Sequence, residues 1–309
     1  MDPNLLLWKS QGQSFFHRLG SWFNLLDPSL LLSSDAEIQK AHDALLQSSK
    51  EKDESAVILS LSSVHADSGA APPLLFRPPA LLPISGPLMV ASLIQYNSVR
   101  PALFWQFLLQ TYTAGFNHVN RNSSGEQGGK PSLKQFLLVT GAISYTTVGG
   151  TLPQIFINRL NVRSSLLQTC FKSVLPIPLS AALAFFSVLT IRSEESETGI
   201  KVFDSDGNAV GVSKAAGEKA VRETALSRAV LFGTTAAVPN LLVLLLRQTR
   251  LFQRNPLLAA PCHYVSIALV FGLMIPVSFS LFPQLGTIKG KEVEEELQAG
   301  EELYYHRGL

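Results

Sequence analysis

The chain has 309 residues, of which 46% are hydrophobic and only 16% are charged, and its formal net charge is +2. An ordinary soluble domain has about 25% charged residues, so the deficit points to a membrane protein. The basic residues form no long cluster, which argues against a nucleic-acid partner. Two cysteines are too few for a disulfide framework, a four-cysteine zinc site or an iron–sulfur cluster.

Residues 1–77 are predicted to form a soluble N-terminal region. Its clearest element is a helix that begins at Ser34, because this hydroxyl can cap the helix while Glu37, three residues on, completes a capping box. The first residues have neither a basic start followed by an apolar core nor the Arg-rich look of a transit peptide. Any organellar address is therefore expected to be internal.

Residues 78–288 are predicted to form a transmembrane helical bundle. A helix needs about 20 apolar residues to cross about 30 Å of hydrocarbon. Charge-free runs of that kind predict spans at 136–157, 173–191, 229–246 and 262–283. Segments 80–99 and 101–119 are either two helices or one spanning helix beside a broken or re-entrant segment. The predicted fold is all-α and multi-pass, with about five and at most six transmembrane helices.

Two further segments of the chain have a soluble character. Residues 192–228 are predicted to form a loop, in which apolar residues around Asp206 and Gly207 indicate a short β-hairpin. Residues 289–309 form an acidic tail, which we expect to be a solvated or partner-facing helix.

A row of polar side chains interrupts the hydrophobic stretch FWQFLLQTYTAGFNHVNRN, which runs from Phe104 to Asn122. At 100° per residue, five of them project within a sector of roughly 80°. They are Gln106, Gln110, Thr113, Asn117 and Asn120, called the amide stripe below. Against lipid each unpaired group would cost several kcal/mol, so the stripe must face protein or water. It lines a path for a small polar solute or forms interhelical hydrogen bonds that hold the bundle together.

The sequence contains no pattern typical of an enzyme. No nucleophile, base and orienting acid cluster in any apolar run, and no phosphate-binding glycine motif is present. The six histidines have no metal-ligand spacing. We therefore predict no catalytic residues, no metal site and no cofactor.

Several motifs along the chain carry a resemblance. They are LLDPSLLLSSDAEI, SSVHADSG, LFRPPALLP, PALFWQFLLQTYTAGFNHVNRN, GIKVFDSDGNAVGVSKAAGEKA, SRAVLFGTTAAVPN, FGLMIPVSFSLFPQ and YYHRGL. Over nearly its whole length the chain resembles the sideroflexins, multi-pass proteins of the mitochondrial inner membrane. The residues that match the first two family motifs are Asp27, Pro28, His65, Asp67 and Gly69. The resemblance implies mitochondrial amino-acid transport, with serine as the best-known substrate.

This sequence departs from the pattern of the better-known sideroflexins. Those relatives have asparagines where it has Leu109 and Thr113, and another pair where it has Phe186 and Leu189. Losing these hydrogen-bond partners should weaken binding of a polar solute severely, and we expect Phe186 and Leu189 to close the facing wall of the path.

The resemblance is closest to a divergent vertebrate branch of the family. For that branch it implies a role in the assembly of respiratory complex I and in mitochondrial iron–sulfur homeostasis. We therefore expect a protein of the mitochondrial inner membrane that works with the lipid bilayer and the complex I assembly machinery, and that is not an efficient serine transporter. The alternative is an amino-acid transporter of altered specificity, whose solute is a small amino acid.

Overall fold

The computed structural model describes residues 2–11, 14–47, 53–94, 98–122, 132–159, 164, 167, 170–294, 297 and 302–309. Within these ranges the chain forms twelve α-helices and four β-strands. The helices are α1 (Pro3–Gln11), α2 (Phe15–Leu25), α3 (Asp35–Gln47), α4 (Glu54–Ser63), α5 (Leu81–Leu93), α6 (Val99–Val119), α7 (Leu133–Arg159), α8 (Pro176–Ile191), α9 (Ser193–Thr198), α10 (Lys214–Leu246), α11 (Arg250–Arg254) and α12 (Ala259–Ser280). The strands are β1 (Ile200–Phe203), β2 (Ala209–Ser213), β3 (Leu285–Lys289) and β4 (Glu302–His306).

Six of the helices form a closed ring. Taken in chain order, α5, α6, α7, α8, α10 and α12 each pack against the next, and α12 packs back against α5. Glycines let neighbouring helices approach closely, as at Gly149, where an added Cβ would lie 2.7 Å from a methyl group of Leu183. The ring places one face of every member towards a common centre.

Two helices of the ring, α10 and α12, are long and apolar enough to cross a membrane. Only 28% and 39% of their most apolar windows are buried, whereas the core helix of a soluble protein would be mostly buried. Large apolar side chains such as Leu245 and Leu269 are more than half exposed on their outer faces. Segment Pro78–Leu93 and helix α8 are apolar but shorter. The count of five or six spans stays a prediction.

The segments around the spans differ from the sequence-based boundaries. The ambiguous stretch 80–119 forms two separate helices, and α5 ends at Leu93. The predicted loop 192–228 is shorter than expected, because α10 begins at Lys214 and continues without a break into the apolar run. Ser213 caps this helix by accepting a hydrogen bond from the backbone N–H of Ala216.

The predicted hairpin is confirmed, and it belongs to a larger antiparallel sheet with the strand order β2-β1-β4-β3. Two features form its turn. The Asp204 carboxylate accepts hydrogen bonds from the backbone N–H groups of Asp206 and Asn208, and Gly207 adopts the positive φ of +86°. The all-α class is therefore incomplete. The expected tail helix is also wrong, since Glu302–His306 is a strand that pairs with both β1 and β3.

The N-terminal helices pack against the ring near the sheet. The predicted capping box at Ser34 is confirmed, because its hydroxyl accepts from the N–H of Glu37 and the Glu37 carboxylate accepts from the N–H of Ser34 at 2.8 Å. Trp22 of α2 is 2% exposed; its ring stacks on Trp8 of α1 and meets Phe279 of α12 edge to face. This aromatic cluster joins the N-terminal region to the bundle.

Candidate solute cavity

The centre of the helix ring holds a cavity of about 130 Å³. All six helices of the ring contribute to its wall. Polar and charged residues on the wall are Ser92, Gln106, Gln110, Thr113, Asn117, Thr151, Gln154, Ser180, Ser187, Arg228, Thr235, Asn240 and His263. A single buried water needs roughly 10–15 Å³ of such space, so the cavity has room for several waters or one small solute.

Four of the five residues of the amide stripe line this cavity. Gln110 donates from Nε2 to Oε1 of Gln106 at 3.3 Å. The hydroxyl of Thr113 and the Nδ2 of Asn117 return to backbone carbonyl oxygens one turn earlier in α6. Within the described part of the chain, the buried Oδ1 of Asn117 has no hydrogen-bond partner. The stripe therefore faces an interior cavity, and the helix itself uses only part of the stripe's hydrogen-bonding capacity.

Asn120, the fifth member of the stripe, lies outside the cavity. It follows the last residue of α6, and its Nδ2 donates to the carbonyl oxygens of Phe76 and Phe116, both at 2.9 Å. Its own carbonyl oxygen accepts from the N–H of Leu309. Asn120 thus links three segments of the fold. This is a packing role, which was the alternative to lining a solute path.

The part of the cavity wall that α8 contributes is a different face of this helix from the one expected. Its members there are Leu179, Ser180, Leu183, Ala184, Ser187 and Val188. Phe186 and Leu189 are not among them, and Phe186 is 55% exposed. The expectation that these two residues close the path is therefore wrong, because their positions in the helical turn direct them away from the ring centre. Leu109 does lie in the wall and is 2% exposed.

Arg228 was missed as a site residue by the sequence reasoning. In the sequence, Arg228 directly precedes a charge-free run, and a charged residue in that position indicates the end of a transmembrane span. In the structure it lies inside α10, is 5% exposed and lines the cavity. The sequence signal that could have revealed Arg228 is that apolar positions begin before residue 229. They indicate that Arg222 and Arg228 belong to the same unbroken helix as the apolar run.

The residues of the first two family motifs form turns away from the cavity. The Asp27 carboxylate accepts from the N–H of Ser29 at 2.9 Å, which lowers the pKa of Asp27 and starts the turn Pro28–Leu32. Gly69 has φ +66°, and its N–H donates to the carbonyl oxygen of His65 at 2.8 Å.

His65 and Asp67 place their turn against the sheet. The ring of His65 meets the ring of His306 edge to face, with centroids 5.8 Å apart, and Asp67 lies 3.6 Å from the Nζ of Lys201. Burial lowers the pKa of His65. These contacts give the motif an architectural role.

A buried ionic network lies between the ring and the sheet. Arg192 is fully buried and donates to Glu195 Oε2 at 2.7 Å, to the carbonyl oxygen of Arg307 at 2.7 Å and to the hydroxyl of Thr224 at 3.1 Å. Glu195 also accepts from the amide of Asn122. One guanidinium thus joins α9, α10 and the residues after β4. Among the described residues, no group of three His, Cys, Asp or Glu side chains could hold a metal ion.

A model of the sideroflexin family matches residues 6–309 of this chain. The chain belongs to the sideroflexin family. Sideroflexins are generally described as mitochondrial transporters, and they are carrier-type proteins rather than enzymes. The chain is 55% identical to Sideroflexin-4 of Danio rerio, with all of both chains covered.

More distant sideroflexins are also similar over most of their length. Identity is 35% to Sideroflexin-4 of Homo sapiens, covering 100% of this chain and 93% of that one. Identity is 28% to Sideroflexin-5 of Homo sapiens, covering 97% and 91%. No solved structure matches the chain.

Proposed function

We propose that this sideroflexin is a carrier of the mitochondrial inner membrane whose cavity binds a small zwitterionic solute, such as an amino acid. The observation that supports the proposal is the position of Gln106, Gln110, Thr113 and Asn117 on the wall of one cavity inside a closed ring of helices. Polar groups inside a membrane bundle are costly, and they mark solute pathways where they face an internal space. Neutral donors and acceptors suit a solute that carries both signs of charge.

The carrier function is tested by reconstituting the purified full chain in liposomes and measuring the uptake of a panel of labelled amino acids. We expect uptake above that of empty liposomes for at least one of them. Asn117→Leu should lower that uptake about tenfold or more, because it removes a cavity-facing amide. Uptake by the unmodified protein that equals the empty-liposome rate across the whole panel would contradict the proposal.

Asn24→Leu is the matched control for this test. It makes the same substitution at an exposed asparagine of α2, outside the cavity, and uptake should stay unchanged. Thermal unfolding of both variants in detergent shows whether a loss of uptake reflects the cavity or the fold.

We propose as a second function the assembly of respiratory complex I together with support of iron–sulfur homeostasis. The specific observation that favours it is Leu109, which is buried in the cavity wall, at a position where the family resemblance implies an asparagine in the better-known sideroflexins. A wall with fewer amides binds a polar solute less well. The resemblance to the divergent vertebrate branch of the family also implies a role in complex I assembly and iron–sulfur homeostasis.

The assembly function is tested in cells that lack the protein, by resolving complex I and its assembly intermediates on native gels and by assaying a matrix iron–sulfur enzyme. We expect less mature complex I, accumulated intermediates and lower enzyme activity. Re-expressing Asn117→Leu then separates the two functions, because an assembly role independent of the cavity is restored by this variant and a carrier role is not. Unchanged complex I in the deleted cells would contradict the assembly function.

A further inference from the structure

We infer that Arg228 is the carboxylate-binding residue of the cavity and that Asn117 Oδ1 accepts a hydrogen bond from the ammonium group of the same solute. This inference rests on the proposed role of the cavity as a solute site. It adds a requirement that the amide stripe alone does not impose, namely that the solute carries an anionic group.

The Nη2 of Arg228 is a buried donor that has no hydrogen-bond partner among the described residues. The side chain is 5% exposed. The guanidinium lies over the ring of Phe279, whose centroid is 4.4 Å from Cζ. An aromatic face attracts a cation but accepts no directed hydrogen bond of the strength that a carboxylate offers. Arg228 is a residue of the cavity wall, so a ligand in the cavity lies beside a buried guanidinium nitrogen that no described residue pairs.

The acidic side chains of the network between the ring and the sheet are already engaged by other groups. Glu195 is held by Arg192, and Glu223 accepts from the hydroxyl of Tyr305 at 3.1 Å. The charges of Arg192 and Arg307 also act on Arg228 and repel it. A buried cation that is surrounded by like charge and has no ion-pair partner among the described residues is destabilising, so an anion bound in the cavity offsets that cost.

Asn117 and Arg228 lie at the same end of the ring, towards the sheet. Asn117 is one turn before Asn120, whose carbonyl oxygen accepts from Leu309. Arg228 is one turn after Thr224, whose hydroxyl accepts from Arg192, and Arg192 also donates to the carbonyl oxygen of Leu309. Both elements are thus fixed by the same neighbouring segment. Two residues of the cavity wall at this end thus hold buried polar atoms without a partner among the described residues, the Nη2 of Arg228 and the Oδ1 of Asn117.

These two groups match the two ends of a zwitterion. The planar fork of a guanidinium binds both oxygens of a carboxylate, and an amide oxygen accepts from an ammonium group. A solute with an amine alone would leave Arg228 without a partner. An apolar solute would leave both groups unpaired, which costs binding free energy.

The inference is tested by thermal unfolding of the full chain in detergent with matched pairs of ligands: glycine, L-alanine and L-serine, each against its carboxamide. Ligands that bind the folded state raise the unfolding midpoint. We expect at least one amino acid to raise it and the matching carboxamide to have little effect. Equal shifts for acid and amide would overturn the inference. Inorganic phosphate is a further probe, and a shift as large as that of the best amino acid would show a general anion site instead.

Variants of Arg228 give the second part of the test. Arg228→Gln should weaken the apparent affinity for the acid about tenfold or more, while Arg228→Lys retains part of it. Arg222→Gln is the control, because it removes an exposed arginine from the same helix and should leave the affinity unchanged. An unaltered affinity in Arg228→Gln would overturn the inference. If that variant does not fold, the acid and amide comparison on the unmodified protein still decides.

Binding in detergent requires no transport, so the two proposals fail in different ways. Binding of the acid without uptake in liposomes contradicts the carrier function and leaves the role of Arg228 intact. Uptake that accepts the carboxamide as readily as the acid contradicts the role of Arg228 and leaves the carrier function intact.

Discussion

A Cβ atom added to Gly150 of α7 would lie 2.9 Å from the carboxamide carbon of Gln106 on α6, closer than Cβ atoms approach other heavy atoms in folded proteins. The missing side chain at Gly150 therefore makes room for Gln106, which is 7% exposed. This close approach fixes where the first amide of the stripe enters the cavity.

Gly150→Ala is expected to displace the Gln106 amide and to reduce uptake of the solute. The added methyl group contributes up to about 1 kcal/mol of helix propensity, whereas overpacking against Gln106 costs about 1–3 kcal/mol. The two effects partly cancel, so we expect the variant to stay folded while its uptake falls. Gly141→Ala is the control, because nothing lies within 4 Å of its added Cβ on the same helix. Equal uptake by the two variants would contradict a role for Gln106.

The amide stripe shows how far helical periodicity predicts a site. The period placed Gln106, Gln110, Thr113 and Asn117 on one face, and all four line the cavity. Asn120 has the same angular position but falls beyond the last residue of α6, where the chain turns and its side chain meets backbone carbonyl groups. Periodicity cannot show where a helix ends, so it does not reveal that the final member of the stripe lies outside this cavity, and a role of Asn120 in a solute path stays a prediction.

Pairings between distant segments were the part of the fold that the sequence did not reveal. Strand β4 was expected to be helical because of the acidic residues before it. Tyr304 and Tyr305 instead pair with Phe203 and Val202 about one hundred residues earlier. Likewise, the sequence separates Arg228 from the amide stripe by more than one hundred residues. Only the packing of α10 against its neighbours places it in the same cavity.

The buried ion pair between Arg192 and Glu195 is expected to be essential for the fold. Arg192→Met leaves the Glu195 carboxylate, which is 2% exposed, without its cation, and breaking one side of a buried pair costs about 3–5 kcal/mol. Lys134 and Glu197 form an exposed pair, with side chains 56% and 53% accessible. Lys134→Met should therefore cost less than about 1 kcal/mol. Chemical unfolding in detergent measures the free energy of unfolding of both variants. Equal losses of stability in Arg192→Met and Lys134→Met would contradict an essential role for the buried pair.

Stability is expected to fall as the pH is lowered from 7 to 5. Burial, with the charges of Arg192 and Arg307 nearby, lowers the pKa of His306 to about 3, and burial also lowers that of His65. Unfolded histidine has a pKa of about 6.5. The unfolded chain thus binds more protons between these values, so the stabilisation is complete above pH 6.5 and is lost as the pH falls towards the folded pKa.

The two histidines are tested by the pH dependence of the unfolding midpoint. The loss between pH 7 and pH 5 is about 2 kcal/mol for His306. His306→Asn should flatten the profile, whereas His17→Asn, on the exposed side of α2, should not. A profile as steep in His306→Asn as in the unmodified protein would show that other groups cause the dependence.

Deleting residues 302–309 is expected to remove cooperative unfolding of the sheet and its neighbours. Strand β4 lies between β1 and β3, so its loss leaves both strands with an unpaired edge. The deletion also removes the Arg307 carbonyl oxygen that accepts from Arg192, and the buried Tyr305 that fills the space over Gly286. Glu302→Gln is the control, because this exposed residue loses only a charge opposite Lys289, worth less than about 1 kcal/mol. A deleted chain that unfolds with the cooperativity and midpoint of the full chain would show that the ring is stable without the sheet.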